Sequence, residues 1–89
     1  MRIGVIGTGS AGQRHLRNLL RLGVGDVVAV SEHARRTDLA VDGTEVPVAH
    51  ELDAVLDDLD ALVIASPSGY HADHLRRAAA RGLHAYLEK

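Results

Sequence analysis

The residues with the clearest chemical potential are the glycines of a short turn. An apolar, β-branched run at residues 2–6 leads into residues 7–12, whose glycines are spaced G-x-G-x-x-G before a helical pattern begins. In a strand–turn–helix unit, these glycines permit a tight turn, close approach of a pyrophosphate and close helix packing, while the helix N-terminus attracts the anion. The context favours a dinucleotide-binding turn over a plain glycine turn. The residues predicted to hold the pyrophosphate are Gly7, Thr8, Gly9, Ser10, Ala11 and Gly12.

An acidic residue follows the second apolar run, at residues 27–30. Glu32 lies about 20 residues beyond Gly12, the separation at which a carboxylate hydrogen-bonds the ribose hydroxyls of NAD. The alternative is an exposed loop acid. Arg35 and Arg36 follow, and they are either solvated charges or a site for the 2′-phosphate of NADP. Because Glu32 would repel a 2′-phosphate, we expect NAD, with NADP as the alternative.

Apolar runs and helical patterns alternate along the chain, which predicts a fold of the α/β class. Strands are expected at residues 2–6, 27–30, 44–48, 60–66 and 83–87, and helices at residues 10–22, 34–39, 50–59 and 70–81. Such alternation predicts a Rossmann-type, doubly wound parallel sheet of five strands in the order 3-2-1-4-5. That order brings the glycine turn, the loop at residues 66–71 and the end of the last strand to one edge of the sheet.

The spacing of apolar residues also predicts which helix faces are buried. We expect the first helix to bury Leu16, Leu19 and Leu20, with Ala11 as a further candidate. The helix at residues 50–59 is expected to bury Leu52, Val55, Leu56 and Leu59. The helix at residues 70–81 is expected to bury Leu75, Ala78 and Ala79.

Composition argues against several classes of function. The 89 residues carry a net charge of −2 and only two aromatic side chains, both tyrosine, which disfavours nucleic-acid binding. There is no cysteine and no apolar stretch long enough to span a bilayer, so we expect a cytoplasmic protein without disulfides or membrane contacts. His71 and His74 have the spacing of a helical metal pair, but no third ligand is evident. We therefore expect no metal and a solvated His74.

Three stretches together resemble one known family across essentially the whole chain: GVIGTGSAGQRHLRNLL, VVAVSE and LVIASPSGYHADHLRRAAARGLHAYLEK. They are similar to the N-terminal domain of the glucose-fructose oxidoreductase and inositol dehydrogenase (Gfo/Idh/MocA) family. The glycine turn is shared by many families. Its combination with a Ser-Pro-Ser-x-x-His loop and a Glu-Lys pair at this spacing is specific, although Ser68 stands where the family usually carries asparagine.

The resemblance implies an NAD(P)-dependent oxidoreductase that transfers hydride to or from a carbinol of a sugar, cyclitol or sugar nucleotide. It implies that Ser66 and Pro67 line the dinucleotide, and that His71 lies on the nicotinamide side. It also implies that Glu88 contacts the nicotinamide ribose. Lys89 would be the catalytic residue, which touches the substrate and assists proton transfer at its hydroxyl.

The resemblance further implies one incomplete cofactor domain at residues 1–89, truncated before a sixth strand and lacking the substrate domain. We therefore expect the chain alone to be inactive, and polyol or sugar substrates to bind only where a C-terminal domain is supplied. The alternatives are a non-catalytic dinucleotide-binding module and a non-functional truncated remnant. An open last strand bearing Leu83, Tyr86 and Leu87 would also favour self-association.

Overall fold

A parallel sheet of five strands forms the centre of the computed structural model, which describes residues 1–32 and 38–88. In chain order, the strands are β1 (Arg2–Ile6), β2 (Asp26–Val30), β3 (Ala40–Val41), β4 (Thr44–Glu45), β5 (Val48–Ala49), β6 (Ala61–Ile64) and β7 (His84–Leu87). The parallel sheet has the order β5-β2-β1-β6-β7. Counted among the parallel strands alone, this is the predicted order 3-2-1-4-5, so the predicted Rossmann-type fold is confirmed.

The central strands are buried because their alternate residues supply two apolar clusters on opposite faces. One cluster includes Val5 and Ala29 together with Leu16 of the first helix. The other includes Ile6 and Val30 of the same strands, packed with residues of the second half of the chain. Helical segments cover both faces, as a parallel sheet requires.

Two α-helices flank the sheet, α1 (Ser10–Leu22) and α2 (His71–Ala80). The α1 bounds match the prediction. Gly23 ends α1 in the left-handed region (φ 66°), where its N–H bonds to the carbonyls of Leu19 and Leu20. Leu16 is fully buried and both of these leucines pack on the core, so the predicted apolar stripe is confirmed.

The predicted third strand at residues 44–48 is wrong, because a hairpin takes its first half. β4 pairs antiparallel with β3 across a turn at Asp42 and Gly43, both of which have positive φ (50° and 79°). An Asp-Gly pair favours such a tight turn. The edge strand of the main sheet is β5, just beyond Pro47. The helical turn predicted at residues 34–39 lies outside the described residues except for its last two, which are not helical.

The helix predicted at residues 50–59 is instead two 3-10 turns, Leu52–Ala54 and Leu56–Asp58. Asp and β-branched residues have low helix propensity, and acids oppose the dipole at a helix C-terminus, which accounts for the interruption at Val55 (φ −117°). The leucines at positions 52, 56 and 59 are nevertheless buried, and Val55 packs against them. The prediction of the buried side chains was therefore right where the prediction of the helix was not.

The prediction for the buried face of α2 is partly wrong. Ala78 is buried, but Leu75 is 42% exposed and Ala79 is exposed as well. The residue that shares the buried stripe with Ala78, four positions earlier, is His74, which is only 1% exposed. A histidine can occupy this position because both of its ring nitrogens find hydrogen-bond partners there.

At the opposite edge of the sheet, β7 pairs with β6 on one side only among the described residues. Tyr86 and Leu87 are exposed there, whereas Leu83, also predicted on this open strand, precedes β7 and is half-buried against the core. Self-association through this edge stays a prediction. No helix in the described part of the chain has the length and apolar character needed to cross a membrane.

A matched pair of leucine variants tests the packing. We expect Leu56→Ala to lower the free energy of unfolding by about 2–5 kcal/mol, because the substitution opens a cavity in the core. Leu75→Ala, on the exposed side of α2, is expected to change it by no more than about 0.5 kcal/mol. Urea unfolding followed by circular dichroism measures both. Equal losses would contradict the observed orientation of α2.

Candidate functional site

One cavity of about 390 Å³ lies beyond the carboxyl ends of β1, β2 and β6, and its wall is formed by residues 6–11, 30–32 and 65–67. In a doubly wound sheet, ligands bind in the crevice outside the carboxyl ends of the strands, where the strand order reverses. The topology expected from the sequence therefore brings the glycine turn, the acid after β2 and the Ser-Pro loop to one place.

The three glycines of the turn differ in what they make possible. Gly7 has a φ of 104°, and a Cβ there would lie 2.7 Å from the carbonyl oxygen of Ala65. A Cβ on Gly12 would lie only 1.8 Å from the carbonyl oxygen of Gly7, so this glycine permits the close approach of α1 to the turn. A Cβ on Gly9 would meet nothing within 4 Å. Gly7 and Gly12 are thus required by the fold, whereas Gly9 opens onto free space.

The turn is further held by Gln13, a residue that the sequence analysis did not single out. Its backbone N–H donates to the carbonyl of Gly9 (2.9 Å), and its side-chain amide donates to the carbonyl of Thr8 (2.8 Å). Thr8 itself is buried. Ser10 and Ala11 are the first residues of α1, so their N–H groups belong to the unpaired N-terminal turn of a helix.

Glu32 is positioned at the cavity wall by donors from two segments, the 3-10 turn that begins at Leu52 and the helix α2. Its side chain is 13% exposed. The Leu52 N–H donates to Oε2 at 2.8 Å, and the Arg77 guanidinium donates to both oxygens at 3.1 and 3.2 Å. The fourth donor is Nε2 of His74, at 3.3 Å from Oε1. Burial alone would raise the pKa of Glu32, but these hydrogen bonds and the Arg77 charge outweigh it and lower the pKa to about 2.

Ser66 also lines the cavity and is connected to Glu32 through the same histidine. The Ser66 hydroxyl lies 2.8 Å from Nδ1 of His74, and both side chains are buried. The prediction of a solvated His74 is therefore wrong. The spacing of apolar residues could not predict that His74 is buried, because the burial is made possible by hydrogen bonds to Ser66 and Glu32. Desolvation lowers the pKa of His74 more than the hydrogen bond to Glu32 raises it.

His71 lies next to the cavity rather than in its wall. Its Nε2 is 2.5 Å from the carbonyl oxygen of Ser66, so the ring N–H donates there and restrains the loop that carries Pro67. The proposed proximity of His71 to a nicotinamide stays a prediction.

Glu88, at the end of β7, is held by two side chains of α1. Nε2 of His15 donates to Oε2 at 2.5 Å, and Nη2 of Arg14 donates to Oε1 at 3.1 Å. The hydrogen bond from His15, supported by Arg14, lowers the pKa of Glu88. The backbone N–H of Glu88 also donates to the carbonyl of Ile64 (2.9 Å). This bond joins the ends of β6 and β7 close to α1.

Two predicted site residues, Arg36 and Lys89, lie outside the described residues. Within residues 1–32 and 38–88, no group of three or more histidine, cysteine, aspartate or glutamate side chains is arranged to hold a metal ion. The two histidines of α2 use their ring nitrogens in the hydrogen bonds described above.

The parallel sheet, the glycine turn between β1 and α1 and the cavity at the reversal of strand order define a Rossmann-type domain. The chain belongs to the Gfo/Idh/MocA oxidoreductases. The model of this family, described as an oxidoreductase family with an NAD-binding Rossmann fold, matches residues 1–89. The family resemblance found in the sequence is thereby confirmed.

Individual relatives are similar over the whole chain. The inositol 2-dehydrogenase of Gluconacetobacter diazotrophicus is 37% identical over 98% of this chain and 28% of its own length. A D-xylose 1-dehydrogenase (NADP(+)) of Haloferax volcanii is 34% identical over 100% of this chain and 29% of its own. The crystal structure of a myo-inositol dehydrogenase from Corynebacterium glutamicum superposes with a TM-score of 0.78 at 27% identity, covering 100% of this chain and 28% of that one. The chain thus spans less than a third of the length of these relatives.

The low pKa of Glu32 makes a testable contribution to stability. Its pKa is about 2 in the folded protein against an ordinary value of 4.5. The ionised form therefore stabilises the fold above about pH 4.5, and this contribution is lost as the pH falls towards 2. We expect the difference in free energy of unfolding between the unsubstituted protein and Glu32→Gln to shrink over that range in urea titrations.

Glu45→Gln, on the exposed β4, is the matched control for this experiment. A difference for Glu32→Gln that stays constant from pH 7 to pH 2, or one equally large for Glu45→Gln, would contradict the assignment to the Glu32 hydrogen bonds.

Proposed function

We propose that this chain is the cofactor-binding part of an NAD(P)-dependent oxidoreductase that transfers hydride to or from a carbinol of a sugar, cyclitol or sugar nucleotide. The observation that carries the proposal is the free space at Gly9, in a cavity whose wall combines a helix N-terminus with the Glu32 carboxylate. An anion-binding turn on one side and a hydroxyl acceptor on the other match the two ends of an adenosine diphosphate.

In this proposal, the turn at residues 7–12 binds the pyrophosphate and Glu32 binds the hydroxyls of the adenosine ribose. Ser66 and Pro67 line the dinucleotide, with His71 and Glu88 towards the nicotinamide half. The nicotinamide supplies the hydride chemistry when it is bound. The support for the roles of the turn, Glu32, Ser66 and Pro67 is the cavity that they line together, and the support for all of these roles is the match of residues 1–89 to the family.

For the choice of cofactor, we propose NAD as the first candidate and NADP as the second. A carboxylate at the ribose position repels the charge of a 2′-phosphate, and Glu32 is ionised at neutral pH. Arg36 would be the residue that receives a 2′-phosphate if NADP is used. The relative from Haloferax volcanii is named for NADP(+), so direct titration with both cofactors decides the matter.

The substrate belongs to a part of the protein beyond this cofactor domain. Relatives of which this chain covers less than a third are named as inositol, xylose and UDP-N-acetylglucosamine dehydrogenases. We propose that residues 1–89 form the cofactor domain and that a further domain supplies the substrate pocket. The chain alone would then bind the cofactor without turning over a polyol.

Glycine variants test cofactor binding separately from folding. We expect Gly9→Ala to weaken NADH binding by at least about tenfold, because a methyl group enters space reserved for the pyrophosphate. Its free energy of unfolding should change by no more than about 0.5 kcal/mol, because the added Cβ meets no protein atom. Fluorescence titration with NADH, and separately with NADPH, measures the affinities.

Gly69→Ala is the matched control, since a Cβ there also meets nothing within 4 Å but Gly69 is not part of the cavity wall. Absence of NADH and NADPH binding in the unsubstituted protein would overturn the proposed function. Tighter binding of NADPH than of NADH would replace NAD with NADP in the proposal.

Lys89 is proposed as the residue that assists proton transfer at the reacting hydroxyl, since an amine can stabilise or relay that proton. We expect Lys89→Met, in a protein complete with its substrate domain, to lower the rate of polyol oxidation by about 100-fold or more while NADH affinity is retained. Steady-state assays with myo-inositol and D-xylose measure this. Undiminished turnover would remove Lys89 from the catalytic machinery. Cofactor binding without turnover of any polyol would favour the non-catalytic module.

A further inference from the structure

The hydrogen bonds around Glu32 raise a question about how it could recognise a ribose. A carboxylate offers about four acceptor positions on its two oxygens. Among the described residues, four donor atoms already occupy them: the Leu52 N–H, two nitrogens of Arg77 and Nε2 of His74. A ribose hydroxyl that donates to Glu32 must therefore take the place of one of these donors.

The four hydrogen bonds are not equally strong. The Leu52 N–H bond is the shortest, at 2.8 Å. The Arg77 guanidinium binds both oxygens in a fork, and charge-assisted, bidentate bonds of this kind are roughly twice as strong as neutral ones. The bond from His74 is the longest, at 3.3 Å. Burial disfavours the charged form of this ring, so the donor is a neutral N–H. His74 is therefore the partner that yields most readily.

The two hydrogen bonds of the His74 ring define its tautomer. A carboxylate only accepts, so Nε2 carries the hydrogen that is donated to Glu32. Nδ1 is then the acceptor for the hydroxyl hydrogen of Ser66 at 2.8 Å. This bond to the cavity loop is independent of Glu32, so the ring remains held by Ser66 when the bond to Glu32 is given up.

We propose that His74 is a positioning residue that occupies an acceptor site on Oε1 of Glu32, and that a ribose hydroxyl displaces its N–H when the cofactor binds. The inference rests on the proposed function. As a consequence, the hydrogen bond that the ribose gains is offset by loss of the buried hydrogen bond from His74 to Glu32. Such a loss costs about 1–3 kcal/mol, which corresponds to roughly 5- to 150-fold in cofactor affinity. His74 would thus weaken the binding of a cofactor whose ribose hydroxyl has to displace it.

Two substitutions test the hydrogen bonds of the two ring nitrogens separately. His74→Asn places a polar atom near the position of Nδ1, so it retains a partner for Ser66 and removes the donor to Glu32. His74→Gln places a polar atom near the position of Nε2, so it retains the donor to Glu32. His84→Gln, at an exposed position on β7, controls for the loss of a histidine elsewhere. Circular dichroism and thermal melting establish that each variant is folded.

The probes are ADP and 2′,3′-dideoxy-ADP, which differ only in the ribose hydroxyls. Calorimetric titration is expected to show about tenfold tighter binding of ADP by His74→Asn than by the unsubstituted protein, with the affinity for the dideoxy analogue unchanged. His74→Gln and His84→Gln are expected to bind both nucleotides as the unsubstituted protein does. An unchanged or weaker ADP affinity in His74→Asn, or an equal gain for the dideoxy analogue, would overturn the inference.

A measurement on the unsubstituted protein covers the case in which His74→Asn does not fold. Ring ¹⁵N resonances are expected to report an Nε2–H tautomer for His74, and Nε2 should shift on addition of ADP but not of the dideoxy analogue. An Nδ1–H tautomer or identical responses to both nucleotides would overturn the inference. Absence of both NADH and NADPH binding would overturn the proposed function itself, whereas binding of either cofactor without displacement of His74 from Glu32 would overturn the inference alone.

Discussion

The close approach of two backbone segments in the glycine turn is the constraint on which the rest of the site depends. The carbonyl oxygen of Gly7 lies where a Cβ of residue 12 would be, at 1.8 Å, so the first turn of α1 reaches β1 only because that Cβ is missing. This contact places the N-terminus of α1 beside the carboxyl ends of the central strands. The space beside Gly9, and with it the anion-binding character of the cavity, follows from that placement.

The opposite wall of the cavity is built by polar interactions over long sequence distances. Arg77 and His74 of α2 reach the carboxylate of Glu32, while the Leu52 N–H approaches it from the segment after β5. Each of these groups is buried or half-buried, and each finds a partner there, as buried polar groups require. The acid after β2 is thus part of the connection between α2 and the sheet as well as a candidate ligand for ribose.

Membership of the Gfo/Idh/MocA oxidoreductases accounts for the combination of these features. The family model spans residues 1–89, and the relatives are similar over nearly all of this chain. The cavity is lined by the glycine turn, Glu32 and the Ser-Pro loop. The chain spans less than a third of the length of these relatives.

The sequence by itself determined the parallel sheet, its strand order, the bounds of α1 and the gathering of the cavity segments, because continuous apolar runs and glycine spacing act locally and parallel crossovers have one hand. It did not determine that β4 leaves the main sheet for a hairpin, that residues 52–58 form 3-10 turns, or that His74 rather than Leu75 faces inwards. Those outcomes depend on partners distant in the chain. Only the tertiary structure brings Ser66 and Glu32 to the two nitrogens of one buried ring, and that pairing makes burial of a histidine favourable where hydrophobicity predicts a leucine.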